Sequence, residues 1–401
     1  MKISQKVILN EMKENQDQLL SWYYHLHQIP EVGLELPNTV AYVCSQLDGL
    51  DIPYQIFPNS SGITAVIGTK KPIIGIRADM DALDVQEETG LPYASTNGHM
   101  HACGHDSHIA ILLTVAKVLK RHEKDLTGSV KLIFQTGEEI LRGAKYMIAH
   151  GALANPTPDY MLALHAGSFC GEDFASGDIV LPENIAFYSS DSFRIVITGK
   201  GGHAASPHMS IDPIVTAGKV VEALQTLVSR EVKPAIPAVI SVTHISSGAQ
   251  TYNVIPDEAL MMGGVRTTDP EVRKYLKQRV TEVASQIAVS MRAEAQTEFV
   301  DGCPAVINDA KTTNEVFCAV SELFPDSVHW KKEGNGGSED TSYYFEKVPG
   351  CFLFLASLGK ENGQLYPHHH CKFRLDETVL WKGAAAMAGA AISLMEKGVS
   401  E

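Results

Sequence analysis

Short apolar runs alternate with amphipathic segments in the first half of the chain, and this alternation restricts the fold more than any other feature. The runs end in turns and predict strands at 64–67, 73–77, 130–135 and 160–164. The segments around and between them predict helices at 3–28, 38–48, 105–121 and 142–150. Strands that alternate with helices usually form a parallel sheet covered on both faces, so we predict an α/β fold with a mostly parallel sheet.

The order of elements changes near residue 187. From there the sequence predicts strands and helices in the order β-α-β-β-α-β, at 192–198, 212–230, 238–245, 259–266, 270–292 and 295–300. This order is typical of a split βαβ, ferredoxin-like α+β unit. The chain then returns to a helix at 313–324, a buried strand at 351–356 and a closing helix at 376–397. We therefore predict one discontinuous domain at 1–186 and 301–401, with a smaller domain inserted at 187–300.

Composition narrows the classes of partner and compartment. The chain has 401 residues, too many for one ordinary core, and a net charge of −14. An acidic surface argues against nucleic acid and against an anionic membrane. The N-terminal region has no apolar core of signal-peptide length, and we expect no membrane span and a cytoplasmic protein. Seven scattered cysteines do not form a disulfide framework, so most are expected to be reduced.

Acidic and imidazole side chains follow three of the predicted strands. Asp79 and Asp81 follow the strand at 73–77, Glu138 and Glu139 follow the next, and His165 follows the strand at 160–164. Because the carboxyl ends of parallel strands share one edge of a sheet, these residues are expected to meet. Two adjacent glutamates bring like charges together, and a bound metal ion would relieve that repulsion.

A dense group of metal-type ligands lies in His101-Ala-Cys103-Gly-His105-Asp106-Ser-His108. Cys103 and His105 are two residues apart, and the glycine between them permits a sharp turn, so a thiolate and an imidazole can face one point. The remaining polar residues of the segment could orient those ligands. A second His cluster at 368–370 offers one more plausible ligand, and the residue types alone do not say which of the three it is.

One glycine-rich segment imitates a dinucleotide-binding loop. Residues 199–204 fit G-x-G-x-x-A, and Glu222 lies about twenty residues further on. However, Pro207 and Pro213 interrupt the helix that such a loop requires, so we exclude dinucleotide binding. On residue type alone, Asn253 and Arg266 are an ordinary turn residue and an ordinary surface residue.

In combination, these segments resemble a known family. The set comprises Arg77-Ala-Asp-Met-Asp81, His101-Ala-Cys-Gly-His-Asp106, Gln135-Thr-Gly-Glu-Glu139, Leu164-His165, Gly201-Gly-His203, Asn253-Val-Ile-Pro-Asp257, Gly337-Ser-Glu-Asp340 and the segment containing His369. Their order and spacing resemble the M20 metallopeptidase family, in particular its aminoacylase/amidohydrolase branch (subfamily D). That branch includes hippurate hydrolases, N-acetyl-diaminopimelate deacetylases and auxin-conjugate hydrolases.

The resemblance implies a zinc-peptidase-like catalytic domain with an inserted lid or dimerisation domain, and a site for two divalent metal ions (Zn²⁺, Mn²⁺ or Co²⁺). The implied ligands are Cys103 in a bridging position, His105, Glu139, His165 and His369. Glu138 matches the general base. The implied contacts to substrate are His203, Asn253 and Arg266. Because the counterparts of His203 and Asn253 reach a neighbouring subunit's site, the resemblance implies a homodimer or larger homo-oligomer formed through the lid domain.

The implied activity is hydrolysis of the amide bond of small N-acyl amino acids to a carboxylic acid and a free amino acid. An aminopeptidase or dipeptidase on the same fold is the nearest alternative. A metal-binding sensor or carrier without catalysis is a second alternative, against which Glu138 argues, since a pure binder needs no base. Two residues depart from the family pattern: Asp84 and Cys371 stand where proline is usual. Asp84 adds negative charge that could influence substrate choice.

Overall fold

The computed structural model describes residues 4–58, 60–171, 173–248 and 251–397, and these form two compact units. The first comprises Met1–Ala186, Val306–Gly334 and Asp340–Glu401, and the second comprises Phe187–Ala305 with Asn335–Glu339. The second unit therefore extends beyond residue 300 and includes a later five-residue segment that the local sequence pattern does not predict.

The α-helices of the described chain are α1 (Gln5–Glu14), α2 (Gln16–His27), α3 (Pro37–Gly49), α4 (His105–Arg121), α5 (Gly143–Ala149), α6 (Pro213–Thr226), α7 (Pro270–Ser290), α8 (Ala310–Leu323), α9 (Ser342–Phe345) and α10 (Leu380–Lys397). The strands are β1 (Tyr54–Ile56), β2 (Ile63–Ile67), β3 (Ile73–Asp79), β4 (Ser129–Gln135), β5 (Tyr160–Gly167), β6 (Ile179–Pro182), β7 (Ile185–Phe187), β8 (Ser190–Thr198), β9 (Gly202–His203), β10 (Ala238–Ser247), β11 (Val254–Ile255), β12 (Glu258–Thr267), β13 (Glu294–Cys303), β14 (Val306–Ile307), β15 (Val328–Lys331), β16 (Gly350–Ala356), β17 (Lys360–Glu361) and β18 (Gln364–Leu365).

The first unit is organised by an eight-stranded sheet in the order β1-β2-β4-β3-β5-β16-β6-β15. Its central strands β4, β3, β5 and β16 are mutually parallel, which confirms the predicted α/β class. β1, β2 and β6 introduce antiparallel pairs on either side of that centre. Strands β3 and β4 are buried along their whole length, as expected for parallel strands covered by helices on both faces.

Two long helices cover this sheet. Helix α4 is buried along most of its length, and α10 is rich in alanine, which lets it pack closely against α8, α1 and α4. By length and composition, the segment Glu377–Lys397 could cross a membrane, although the sequence was not expected to contain such a segment. In the fold, 78% of its most apolar window is buried, which is typical of a core helix.

The predicted helix at 3–28 is two helices. Residue 3 lies outside the described residues, and the chain leaves helical geometry at Asn15 (φ −89°, ψ 8°), between α1 and α2. The side-chain amide of Asn15 donates to the Glu11 carbonyl at 2.8 Å. Asparagine often competes with the backbone in this way, which accounts for the break.

The second unit contains a four-stranded antiparallel sheet in the order β10-β12-β8-β13, with α6 and α7 supplying its buried core. Each helix begins at an aspartate whose carboxylate accepts from backbone N–H groups, Asp212 for α6 and Asp269 for α7. The strand order is that of the split βαβ unit which the sequence predicts. A separate two-stranded ladder joins β9 to β11.

Candidate metal centre

The carboxyl ends of the parallel strands bring the acidic residues of the first unit together. Asp79 is the last residue of β3 and is fully buried. The Arg77 guanidinium donates to Asp79 at 2.7 Å and to Asp340 at 3.0 Å, so both buried carboxylates have a cationic partner. Asp79 in turn accepts from His108 Nδ1 at 2.5 Å. The strand edge is therefore held by a buried, charged network behind the predicted ligands.

Asp81 fixes the glutamate pair after β4. Its Oδ1 accepts from the backbone N–H of Glu138 and its Oδ2 from that of Glu139, both at 3.0 Å. The backbone carbonyl of Asp81 also accepts from His105 Nδ1 at 2.9 Å. A single residue therefore sets the position of both glutamates and the orientation of one imidazole.

A left-handed glycine places Cys103 and His105 side by side. Gly104 has a φ of +87° and precedes the first residue of α4. A Cβ at this position would lie 3.2 Å from the Leu375 side chain, so both the backbone conformation and the packing favour glycine. Both predicted ligands are buried, and they face the strand edge that carries Glu138 and Glu139.

Two donor groups converge on the sulfur of Cys103. One consists of Cys103, His105 and His165, and the other of Cys103, Glu139 and His369; within each group the ligand atoms lie within 4.8 Å of one another. Cys103 Sγ is 3.5 Å from His165 Nε2, and His369 Nε2 is 3.5 Å from Glu139 Oε2. The structure thus brings together all five predicted metal ligands, with the thiol common to both groups.

Glu138 lies beside these groups. Its Oε2 is 3.9 Å from His105 Nε2, close to the 3.8 Å that separates the same nitrogen from Glu139 Oε1. Its side chain is buried, with 8% exposed. On distance alone, Glu138 could therefore act either as a base or as a metal ligand.

His369 has an unusual backbone. Its φ is +68°, a left-handed conformation that costs a residue with a side chain about 1–3 kcal/mol. Its N–H donates to the Ala102 carbonyl at 2.8 Å, which ties the late His cluster to the Cys103 loop. The surrounding structure therefore holds His369 in a strained conformation that brings its side chain to Glu139.

Electrostatics favour a cation between these groups. Burial raises the pKa of the Cys103 thiol well above its usual value, and the Glu139 and Glu138 charges add to this effect. Burial also raises the pKa of Glu139 to about 7. Burial alone would lower the pKa of His105, but the nearby carboxylates, led by Asp79, raise it to about 10. Protons thus stabilise the negative charge of the cluster, and a metal ion would take their place.

The residues present fit a divalent transition metal. His105 Nε2 and Glu139 Oε1 are buried and have no hydrogen-bond partner among the described residues, although they are only 3.8 Å apart. Unpaired buried polar atoms are costly unless something binds them. The donor set of sulfur, nitrogen and oxygen suits Zn²⁺ and also accepts Mn²⁺ or Co²⁺.

The other predicted site residues lie in the second unit. His203 is the last residue of β9 and Asn253 directly precedes β11; both are exposed, and the Ala204 N–H donates to the Asn253 carbonyl at 3.0 Å. His203 Nδ1 accepts from the Ala205 N–H at 3.0 Å, so a neutral His203 carries its proton on Nε2. Arg266 lies on β12, and its Nη1 donates to the Gly336 carbonyl at 3.0 Å.

The two departures from the family pattern differ in their surroundings. The Asp84 side chain is 87% exposed and lies 3.4 Å from His99 Nδ1. Cys371 Sγ lies 3.5 Å from a carboxylate oxygen of Glu88 and 3.8 Å from His370 Nδ1. Neither is among the two donor groups around Cys103.

Two contacts near the centre were not found by sequence reasoning. His27 Nδ1 is 2.6 Å from Asp106 Oδ2, which links α2 to the first turn of α4. His368 Nδ1 lies 3.7 Å from Cys103 Sγ, although the family resemblance implies only His369 from that cluster. Both histidines are distant in sequence from their partners, so only the tertiary fold reveals the contacts.

The chain is similar to known proteins over most of its length. Residues 75–393 match the family model described as "Peptidase family M20/M25/M40". The chain is 37% identical to the N-acetyl-L-cysteine deacetylase of Bacillus subtilis (strain 168), over 94% of this chain and 88% of that protein. It is 35% identical to the IAA-amino acid hydrolase ILR1-like 2 of Arabidopsis thaliana, over 94% of this chain and 85% of that protein.

A solved structure shares the fold. The crystal structure of the Bacillus subtilis YXEP protein, described as a dinuclear metal-binding peptidase of the M20 family, superposes with a TM-score of 0.81 at 32% identity. The match covers 96% of this chain and 99% of that chain. The family model, which spans most of the sequence, and these relatives confirm the resemblance: this chain belongs to peptidase family M20/M25/M40.

Proposed function

We propose that this protein is a metal-dependent amidohydrolase that cleaves N-acyl amino acids to a carboxylic acid and a free amino acid. The observation that carries the proposal is the position of Cys103, whose sulfur is common to the group with His105 and His165 and to the group with Glu139 and His369. These two donor groups would hold two divalent ions, and their sulfur, nitrogen and oxygen atoms suit Zn²⁺, Mn²⁺ or Co²⁺. The relatives named above act on an acylated cysteine and on amino acid conjugates, which supports the substrate class.

Bound divalent ions would polarise the scissile carbonyl and acidify a water molecule. Glu138 is the proposed base: its carboxylate takes the proton from the attacking water and passes it to the nitrogen of the leaving amino acid. The N–H groups of Glu138 and Glu139 are anchored on one Asp81 carboxylate. This anchoring fixes the backbone from which both carboxylates extend.

The second unit supplies the proposed contacts to the substrate. His203 keeps its proton on Nε2, because the Ala205 N–H occupies Nδ1, so it can donate to the oxygen of the scissile carbonyl as negative charge develops. We propose that Asn253 assists it and that Arg266 pairs with the carboxylate of the amino acid, for which a guanidinium is suited. We further propose that the chain forms a homodimer through this unit and that His203 and Asn253 complete the partner's site.

The cysteine inventory supports a reducing compartment. Five of the seven cysteines are buried, and among these Cys44, Cys103, Cys170 and Cys351 are free thiols. Buried free thiols are typical of cytosolic proteins. We propose that the protein acts in the cytoplasm.

A substrate panel tests the proposed reaction. Metal-reconstituted protein is offered N-acetyl and N-benzoyl amino acids, the same compounds with the carboxylate amidated, and free dipeptides. The proposal expects hydrolysis of the acylated amino acids and much slower hydrolysis of the amidated forms, which lack the partner of Arg266. Preferential cleavage of dipeptides with a free amine would instead indicate an aminopeptidase or dipeptidase. No hydrolysis of any compound, with metal bound, would favour a binding protein.

A further inference from the structure

Two imidazoles flank the sulfur of Cys103 at similar distances. His165 Nε2 is 3.5 Å from Cys103 Sγ, and His368 Nδ1 is 3.7 Å from it. The two rings are arranged edge to face, 5.2 Å apart. Distance alone would make either one a ligand of an ion bound at the thiol.

The backbone around His165 fixes its tautomer. His165 Nδ1 lies 2.9 Å from the Ala166 carbonyl oxygen, which can only accept a hydrogen bond. The proton of a neutral His165 is therefore on Nδ1. Its Nε2 carries a lone pair, and this lone pair lies on the side of Cys103 Sγ. That is the form in which an imidazole binds a metal.

The backbone around His368 fixes the opposite tautomer. The Ser168 N–H, which can only donate, lies 3.1 Å from His368 Nε2. The lone pair of His368 is therefore used at Nε2, and its proton is on Nδ1. That proton lies on the side of Cys103 Sγ.

The surroundings of His368 hold the ring in this orientation. It stacks on Phe169 with the ring centres 4.0 Å apart and the planes at 11°, and Phe373 lies 4.6 Å away on a tilted plane. Gly167 provides the space, because a Cβ there would lie 2.4 Å from His368 Cε1 and Nε2. Turning the ring over would place a carbon against the Ser168 N–H and another against the sulfur, and both hydrogen bonds would be lost.

We propose that His368 is a positioning residue for the Cys103 thiolate, donating a hydrogen bond from Nδ1–H to Sγ, and that it does not bind metal. A hydrogen bond to a charged acceptor is stronger than a neutral one, so it stabilises the thiolate in a buried site. By withdrawing charge from the sulfur, it also weakens electron donation to a cation bound there. The inference rests on the proposed metal site. It makes His368 a positioning residue, whereas the adjacent His369 is a proposed metal ligand.

Wild-type protein loaded with ¹¹³Cd²⁺ and labelled with ¹⁵N-histidine tests this directly by NMR. The proposal expects the His368 Nδ1 proton to correlate with ¹¹³Cd through the sulfur, while His368 nitrogens show no one-bond coupling to cadmium and His165 Nε2 does. A cadmium–thiolate signal without the His368 correlation would overturn the hydrogen bond but leave the metal site intact. A one-bond coupling at His368 would overturn it by making His368 a ligand. No cadmium–thiolate signal at all would overturn the proposed metal site as well.

Cobalt-substituted variants provide a second readout. Loss of the hydrogen bond should leave the sulfur a better electron donor, so His368→Phe should bind the wild-type amount of Co²⁺ and shift the thiolate-to-cobalt charge-transfer band to longer wavelength. His368→Asn can present an N–H near the position of Nδ1, so its band should lie between those of wild type and His368→Phe. His370→Phe is the matched control, because His370 accepts from the Lys372 N–H at 3.0 Å instead of contacting Cys103. An unchanged band in His368→Phe, or a lower cobalt content, would contradict the proposal.

Discussion

Replacing Arg77 with methionine should destabilise the first unit severely. The Arg77 side chain is 1% exposed and makes hydrogen bonds to three buried partners: Asp79 at 2.7 Å, Asp340 at 3.0 Å and Gln135 at 2.9 Å. Methionine matches the apolar part of the side chain but removes the charge. Two fully buried carboxylates would then lose their cation.

The expected loss in the free energy of unfolding depends on which hydrogen bonds the two carboxylates keep. Removing one partner of a buried ion pair costs about 3–5 kcal/mol, because the remaining charge stays buried. Asp340 keeps bonds from the Gln135 amide at 2.6 Å and the Ala144 N–H at 2.9 Å, and Asp79 keeps His108. These contacts place the expected loss for Arg77→Met near the lower end, at about 3 kcal/mol.

The stability difference between wild type and Arg77→Met should depend on pH in a defined direction. Burial raises the pKa of Asp79, but Arg77, His105 and His108 outweigh it and hold the pKa well below the usual value. A carboxylate with a depressed pKa in the folded state stabilises the protein above its unfolded pKa, about 4, and this stabilisation is lost as the pH falls further. The difference between wild type and Arg77→Met should therefore be complete at pH 7 and shrink below about pH 4.

Denaturation followed by tryptophan fluorescence measures this loss in the relevant unit, because Trp22, Trp330 and Trp381 all lie in the first unit. Arg121→Met is the matched control: Arg121 is 55% exposed and pairs with Glu11 at the surface, so its loss should cost below about 1 kcal/mol. If Arg77→Met cost no more than Arg121→Met, the account of a buried charged network behind the site would be wrong.

Three further predictions follow from the structure. Cys103→Ser should weaken metal retention, whereas Cys44→Ser, at another buried thiol, should not; equal metal content in wild type and Cys103→Ser would refute the ligand role. If His203 acts across a dimer, inactive His203→Ala and Glu138→Gln homodimers should recover activity on subunit exchange, up to about a quarter of wild type for random pairing; no recovery after proven exchange would place His203 within its own chain. Burial lowers the pKa of Lys131 to about 8, below its unfolded value, so the stability of wild type relative to Lys131→Met should rise between about pH 8 and pH 10; a flat difference across that range would contradict the shift.

The sequence predicts the central elements of the fold because their patterns are long and regular. Strands β3, β4 and β5 and helix α4 lie within a few residues of their predicted bounds. The short strands β6 and β15 were missed, since four residues carry too little pattern to be distinguished from a loop. The segment Asn335–Glu339 joins the second unit only through contacts between distant residues, which no local pattern encodes.

In the candidate site, too, some residues are predictable from the sequence and others only from the tertiary structure. Residue type and the parallel sheet lead to Glu138, Glu139 and His165, because strand ends determine where those side chains go. Residue types alone do not separate His368 from His369, and only the family resemblance selects His369. That distinction depends on the Ser168 N–H and on the left-handed backbone of His369, which are set by tertiary packing.

Metal content and turnover, measured together in Glu138→Gln and Glu139→Gln, test the central claim most directly. The two glutamates are adjacent and anchored on the same Asp81, so each variant is the structural control for the other. The account predicts that Glu138→Gln keeps two metal ions per subunit and loses at least ~10²-fold in turnover, the usual scale of a general base. Glu139→Gln should lose metal as well as activity. Metal loss in Glu138→Gln, or wild-type turnover in that variant, would contradict the assignment of Glu138 as the base.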